Sequence, residues 1–130
     1  QKTKLADIVF SDSKKLQELN NLAHPFVHIA FDKWLIKQDV GNIIKEAAIL
    51  FEGGANKGLD AVICVSSPME LRIKRVMERD KCSRERVMKR MAMQMPQETK
   101  EKLSDFVIVN TENEKILPQI LSICKKIELL

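Results

Sequence analysis

Three apolar runs that do not alternate in polarity constrain the fold most. They are the second half of Asn42-Ile-Ile-Lys-Glu-Ala-Ala-Ile-Leu-Phe51, then Asp60-Ala-Val-Ile-Cys-Val65, then Phe106-Val-Ile-Val109. A strand with one wet face alternates apolar and polar residues, whereas a strand covered on both faces reads as a continuous apolar run. Each run is therefore expected to be a buried strand. Helical patterns separate the second run from the third, which points to α/β architecture: a parallel sheet with helices on both faces. In such sheets ligands lie off the carboxyl ends of the strands. Those ends are Glu52-Gly53-Gly54, Ser66-Ser67 and Asn110-Thr111.

The helices are read from caps and spacing. Asp12 and its serine neighbours announce a helix carrying Leu16, Leu19 and Leu22, which His24-Pro25 should break. A second helix is expected from Phe26 to Lys37, with Val27, Ala30, Phe31 and Trp34 on its apolar face and Trp34 in the core. Ser66-Ser67-Pro68 should cap a helix running to Arg79. After a break at Asp80-Lys81-Cys82, Ser83 starts a helix to Met95, and Pro96 starts a short one to Leu103. Asn113 is the expected cap of a C-terminal helix to Glu128, with Pro118 near its start.

Composition narrows the class. Of 130 residues, 45% are hydrophobic and 31% charged, a core-forming balance that excludes wholesale disorder. No apolar run approaches the roughly 18 residues that span a bilayer, so no membrane partner is expected. The cysteines Cys64, Cys82 and Cys124 are scattered, which fits free thiols in a reducing cytoplasm and gives no metal-ligand spacing. An N-terminal Gln in place of an initiator Met fits a fragment or a processed product.

Positive charge is concentrated. Residues 71–90 hold nine basic and three acidic side chains, a local +6 in a chain of net charge +4, so the remainder sums to −2. A compact anion is the expected partner. Arg72, Arg75 and Arg79 follow i, i+3, i+7 spacing and fall within about 60° of one another on a helix. Their planar forks suit phosphate oxygens; the competing reading is a solvated face with Glu78 and Asp80 as partners. Arg86, Arg90 and Gln94 form a second row at i, i+4, i+8. Two such helices joined by a short break resemble a hinged lid. Nucleic acid is not expected, because aromatic residues make up only 5% and stacking platforms are lacking. Glu52 sits at a strand end, where a carboxylate binds a ligand hydroxyl or caps a turn. His24 occupies a capping position before a proline. Gly53-Gly54-Ala-Asn-Lys57 lacks GxxxxGK[ST] spacing, which occurs nowhere in the 130 residues.

The order of Leu5 to Asp12, His24-Pro25, Glu46 to Glu52, Asp60 to Val65, Leu71 to Asp80, Ser83 to Gln94 and Asp105 to Asn110 resembles dephospho-CoA kinase. The most specific parts are the segment ending Leu-Phe-Glu52, the Arg-x-x-x-Arg-Asp80 element and the Arg90-x-x-x-Gln94 pair. The resemblance implies a P-loop, nucleoside-kinase-like fold with a helical lid, acting on ATP and dephospho-CoA with Mg²⁺. Within one fragmentary domain, it assigns residues 1–41 to a helical CoA-binding part, 42–67 and 104–130 to the α/β core, and 68–103 to the lid. It places Arg75 on the transferring phosphate, where Arg79 is expected to join it from the same stripe, and Arg72, Arg86, Arg90 and Gln94 in the lid. Asn110 falls beside the adenine, and His24 and Glu52 on the CoA side.

By the same resemblance the first strand and its phosphate loop would precede Gln1. The 130 residues alone are then expected to be inactive, to bind no cofactor tightly, and to be open to homo-oligomers that complete the sheet. The alternative is a non-catalytic nucleotide- or CoA-binding module; the sequence upstream of Gln1 separates the two.

Overall fold

The computed structural model describes Leu5, Ile8, Val9 and residues 12–128. The serine expected beside Asp12 at position 11 lies outside the described residues. Two compact units divide the chain, residues 1–55 and 56–130.

Unit 1–55 is built on one helix, α1 (Ser13–Leu35). Asp12 caps it as expected: its Oδ1 accepts from Lys14 N at 2.9 Å and Lys15 N at 3.3 Å. The expected break at Pro25 does not occur, and Pro25 lies inside the helix. Proline removes one helical hydrogen bond and crowds the preceding turn. Whole turns on both sides keep their own ladders, so the helix runs through, and His24 is a mid-helix residue rather than a cap. Trp34 is not core. It is 47% exposed, tilted against Phe31 at 5.7 Å between ring centroids. Periodicity marked a face that could be buried, but among the described residues of unit 1–55 nothing encloses it. Lys45 covers Phe31 instead, its Nζ 4.2 Å from the ring centroid.

The segment expected as the first buried strand is a run of turns over residues 48–58. An apolar run becomes a strand only beside a partner ladder, and no described strand pairs with it. Its backbone bonds locally instead: Gly53 N donates to Ile49 O at 3.1 Å and Ala55 N to Leu50 O at 2.9 Å.

Unit 56–130 has the order β1 (Ile63–Ser66), α2 (Met69–Asp80), α3 (Arg84–Ala92), α4 (Gln97–Leu103), β2 (Phe106–Val109), α5 (Ile116–Ile127). β1 and β2 pair in parallel, Ile63 opposite Phe106 and Ser66 opposite Val109. The α/β class and the parallel pairing agree with the sequence, and β2 has the expected bounds, whereas β1 runs from Ile63 to Ser66 in place of the expected Asp60 to Val65. The strands are not buried on both faces, however: Ile63 is 42% and Val65 57% exposed. α4 packs on β1 and α5 on β2, and two strands cannot cover one another's remaining surface.

The buried apolar side chains of this unit are Ile73 on α2, Val87 on α3, Ile108 on β2 and Ile123 on α5, one from each of these four elements and none from β1 or α4. Local signals explain most ends. Ser83 Oγ accepts from Arg86 N at 3.4 Å and starts α3. Lys81 closes α2 in a left-handed conformation, φ 51°. Three expectations fail. Neither Ser66 nor Ser67 caps α2, whose N-cap is Pro68 without a side-chain bond; Ser66 Oγ is committed to Glu101 Oε1 of α4 at 2.5 Å, and Ser67 Oγ is buried without a bond to the helix N–H groups. α3 ends at Ala92 rather than Met95. α5 begins at Ile116 with Lys115, not Asn113, at its N-cap. Gln119 near its start donates Nε2 to Val109 O at 3.0 Å and accepts from Val109 N at 2.8 Å. This amide satisfies both backbone groups of Val109.

Candidate functional site

The carboxyl ends of β1 and β2 are tied by Asn110 N, which donates to Ser66 O at 2.7 Å. α2 leaves β1 after Ser67-Pro68 and carries its arginines past this point. Arg75 NH1 donates to Asn110 O at 3.2 Å and to Asn110 Oδ1 at 3.3 Å. The arginine expected on phosphate and the asparagine expected on adenine thus meet across the strand end. Arg72 NH1 donates to Gln97 Oε1 at 3.3 Å, and Gln97 Nε2 in turn to Cys64 Sγ at 3.3 Å. Arg72 Nε and Ser67 Oγ are buried and have no hydrogen-bond partner among the described residues. Orphan donors of this kind are uncommon in folded proteins. Burial, with Glu101 adding to it, pushes the Cys64 thiol up, so it stays protonated.

Beside this point an open groove of about 480 Å³ is lined by Glu70, Leu71, Lys74, Glu112 and Asn113. Sequence reasoning missed it and gave Asn113 to a helix cap. The loop after β2 lacks a motif, and its only prior sign was its place after a strand end.

Arg79, Arg84 and Arg90 form ion pairs. Arg79 Nε lies 2.7 Å from Asp80 Oδ1, and Arg90 NH1 is 2.9 Å from Asp80 Oδ2. Hydrogen bonds from Arg79 first, then Arg90, hold the Asp80 carboxyl below the usual carboxylate range, and Asp80 raises Arg79. Arg79 therefore turns to the partner named in the solvated-face reading, while Arg75 does not. Arg84 binds Glu70 through two bonds of 2.7 Å, joining the start of α3 to the start of α2. That bond depresses Glu70 and raises Arg84. A separation of 14 residues gave no sequence sign of this pair. Arg86 and Arg90 are half-buried on α3. Gln94 is exposed and follows the helix end, so the expected single row of Arg86, Arg90 and Gln94 stops at Arg90.

In unit 1–55, His24 meets the turn that follows Glu52. A Cβ on Gly53 would lie 3.1 Å from His24 Cε1 and 3.2 Å from Ile49 O. Glu52 itself is exposed. Glycine at position 53 is what lets the turn lie against the imidazole. Gly53→Ala is expected to cost about 1 kcal/mol of stability, as overpacking does, and to shift the His24 ring resonances. Unchanged ring resonances in a folded Gly53→Ala chain would refute the contact.

Among the described residues no three His, Cys, Asp or Glu side chains lie together as metal ligands. Cys64, Cys82 and Cys124 are free. No helix among the described residues is long and apolar enough to cross a membrane.

A parallel α/β unit with an arginine-bearing helix leaving one strand end and touching the next defines the class, an α/β protein with its candidate site at the strand carboxyl ends. A family model described as dephospho-CoA kinase matches residues 1–115. The chain belongs to the dephospho-CoA kinase family. It is 40% identical over 116 residues to a dephospho-CoA kinase of Chlorobium chlorochromatii, covering 87% of this chain and 55% of the relative. To one of Bacteroides fragilis it is 37% identical over 123 residues, covering 94% and 60%. A crystal structure of a Thermus thermophilus protein matches 97% of this chain and 66% of its own, with TM-score 0.84 and 33% identity. A solved structure of a dephospho-CoA kinase from Campylobacter jejuni matches 98% and 65%, with TM-score 0.58 and 30% identity. The chain spans 55 to 60% of the length of these two curated relatives.

Proposed function

We propose that residues 1–130 supply the CoA-side, lid and adenine-side parts of a dephospho-CoA kinase. The reaction transfers the γ-phosphate of ATP to the ribose 3′-hydroxyl of dephospho-CoA, the last step of coenzyme A biosynthesis. The contact of Arg75 with Asn110 supports this reading most directly. It sets a guanidinium at a strand carboxyl end beside a groove, where a nucleotide phosphate and its base would be held together. Arg75 and Arg79 serve the transferring phosphate, which is stabilised chiefly by positioned charge. Arg72, with an unsatisfied buried N–H, and Arg86, Arg90 and Gln94 complete the lid. Asn110 faces adenine, and His24 and Glu52 serve CoA.

The lid closes over the phosphates and removes water that would compete as acceptor. Mg²⁺ bound with ATP would neutralise phosphate charge. The reaction belongs in the cytoplasm, where ATP and reduced thiols coexist.

No GxxxxGK[ST] spacing occurs in these residues. The 130-residue chain alone is therefore expected to form no CoA from ATP and dephospho-CoA. A chimaera placing the N-terminal segment of the Bacteroides fragilis relative before Gln1 should form it. CoA made by the purified chain alone would show that another site holds the phosphates. A folded chimaera that binds both substrates without turnover would favour a non-catalytic nucleotide- or CoA-binding module.

A further inference from the structure

Asp80 is the point where the two arginine helices meet. One carboxylate receives Arg79 of α2 through Nε at 2.7 Å and NH2 at 3.4 Å, and Arg90 of α3 through NH1 at 2.9 Å. Two guanidinium groups repel one another at such range unless an anion lies between them. The chain also turns sharply here, through left-handed Lys81, before α3 begins.

We propose that Asp80 is a positioning residue that gathers Arg79 and Arg90 into one anion-binding face. The proposal rests on the phosphate reading of the lid and names the group that sets its geometry. Asp80 is not needed to hold the helices together. α2 packs on α3, and Glu70 with Arg84 already ties their first turns. Exposed ion pairs add little to stability. What Asp80 alone does is bring a charge from each helix to one place. Arg79 keeps further N–H donors for a ligand, since a guanidinium carries five and Asp80 takes two.

Charge and geometry predict opposite signs. Removing a carboxylate beside a basic cluster should tighten anion binding if charge alone matters. If Asp80 positions the arginines, removal should weaken it. The test is calorimetric titration of the 130-residue chain with inorganic pyrophosphate, with helix content followed by circular dichroism. Asp80→Asn is expected to weaken binding about tenfold, the loss of one well-placed charged hydrogen bond. Asp80→Glu, which restores the carboxylate, should recover most of the affinity. Glu85→Gln makes the same charge change on α3, within the exposed pair to Lys89, and should bind equally or more tightly. Equal or tighter binding by Asp80→Asn, or equal weakening by Glu85→Gln, would overturn the proposal. Loss of the helix signal in Asp80→Asn would overturn it too, since Asp80 would then hold the fold. An unsubstituted chain that binds no pyrophosphate removes the phosphate reading and this proposal together. Binding that is normal in the unsubstituted chain and unchanged in Asp80→Asn removes only the role of Asp80.

Discussion

Truncation of Ile73 to alanine is expected to lower the unfolding free energy by about 2–4 kcal/mol, measured as a fall in the urea midpoint. Ile73 is 1% exposed and is the largest fully buried side chain among the described residues. The loss combines the transfer energy of the removed methyl groups with the cavity left behind. Small domains have total stabilities near the low end of about 5–15 kcal/mol, so this one change should remove a large share of the total. Ile73→Val removes one methyl group and should cost about 1 kcal/mol. A fall below about 0.5 kcal/mol in Ile73→Ala, the level of an ordinary surface change, would show that α2 is held by its ion pairs instead of its buried face.

Arg75→Lys is expected to lower kcat of the chimaera by about a hundredfold, the scale of one lost transition-state donor, with KM changed only a few-fold. Lysine keeps the charge but replaces a planar fork with a point donor on a different reach. In the contact with Asn110 a single guanidinium nitrogen, NH1, serves a carbonyl and an amide oxygen together. Ground-state binding of a polyanion by the remaining arginines should survive, which separates kcat from KM. Unchanged turnover in Arg75→Lys would remove Arg75 from the mechanism. A fall in kcat for Arg79→Lys matching that of Arg75→Lys would give both arginines the same role, although Arg79 meets Asp80 and Arg75 meets Asn110.

Much of unit 56–130 was legible in the sequence because its signals are local. Four apolar residues bounded by Asp105 and Asn110 form β2 with the expected ends. Ser83 caps the helix it was expected to cap, as Asp12 does in unit 1–55, since a cap depends on the next three residues and nothing further away. The stripe of Arg72, Arg75 and Arg79 follows from helical geometry alone, and the resemblance to dephospho-CoA kinases rested on residues that the family model also matches.

Tertiary structure decided the rest. Periodicity does not say which partner a face will meet. Hence Trp34 is exposed, and the apolar run ending at Phe51 closes on itself as turns. The proline rule describes a penalty of about 3 kcal/mol, and only the turns around Pro25 decide whether the helix pays it. The three stripe arginines also separate in space: Arg75 reaches an asparagine 35 positions away, Arg72 a glutamine 25 away, and Arg79 its own neighbour. Helical spacing fixed that these side chains share a face. Which of them meets a strand end depends on how α2 lies across β1 and β2, and that is set by the packing of residues distant in the chain.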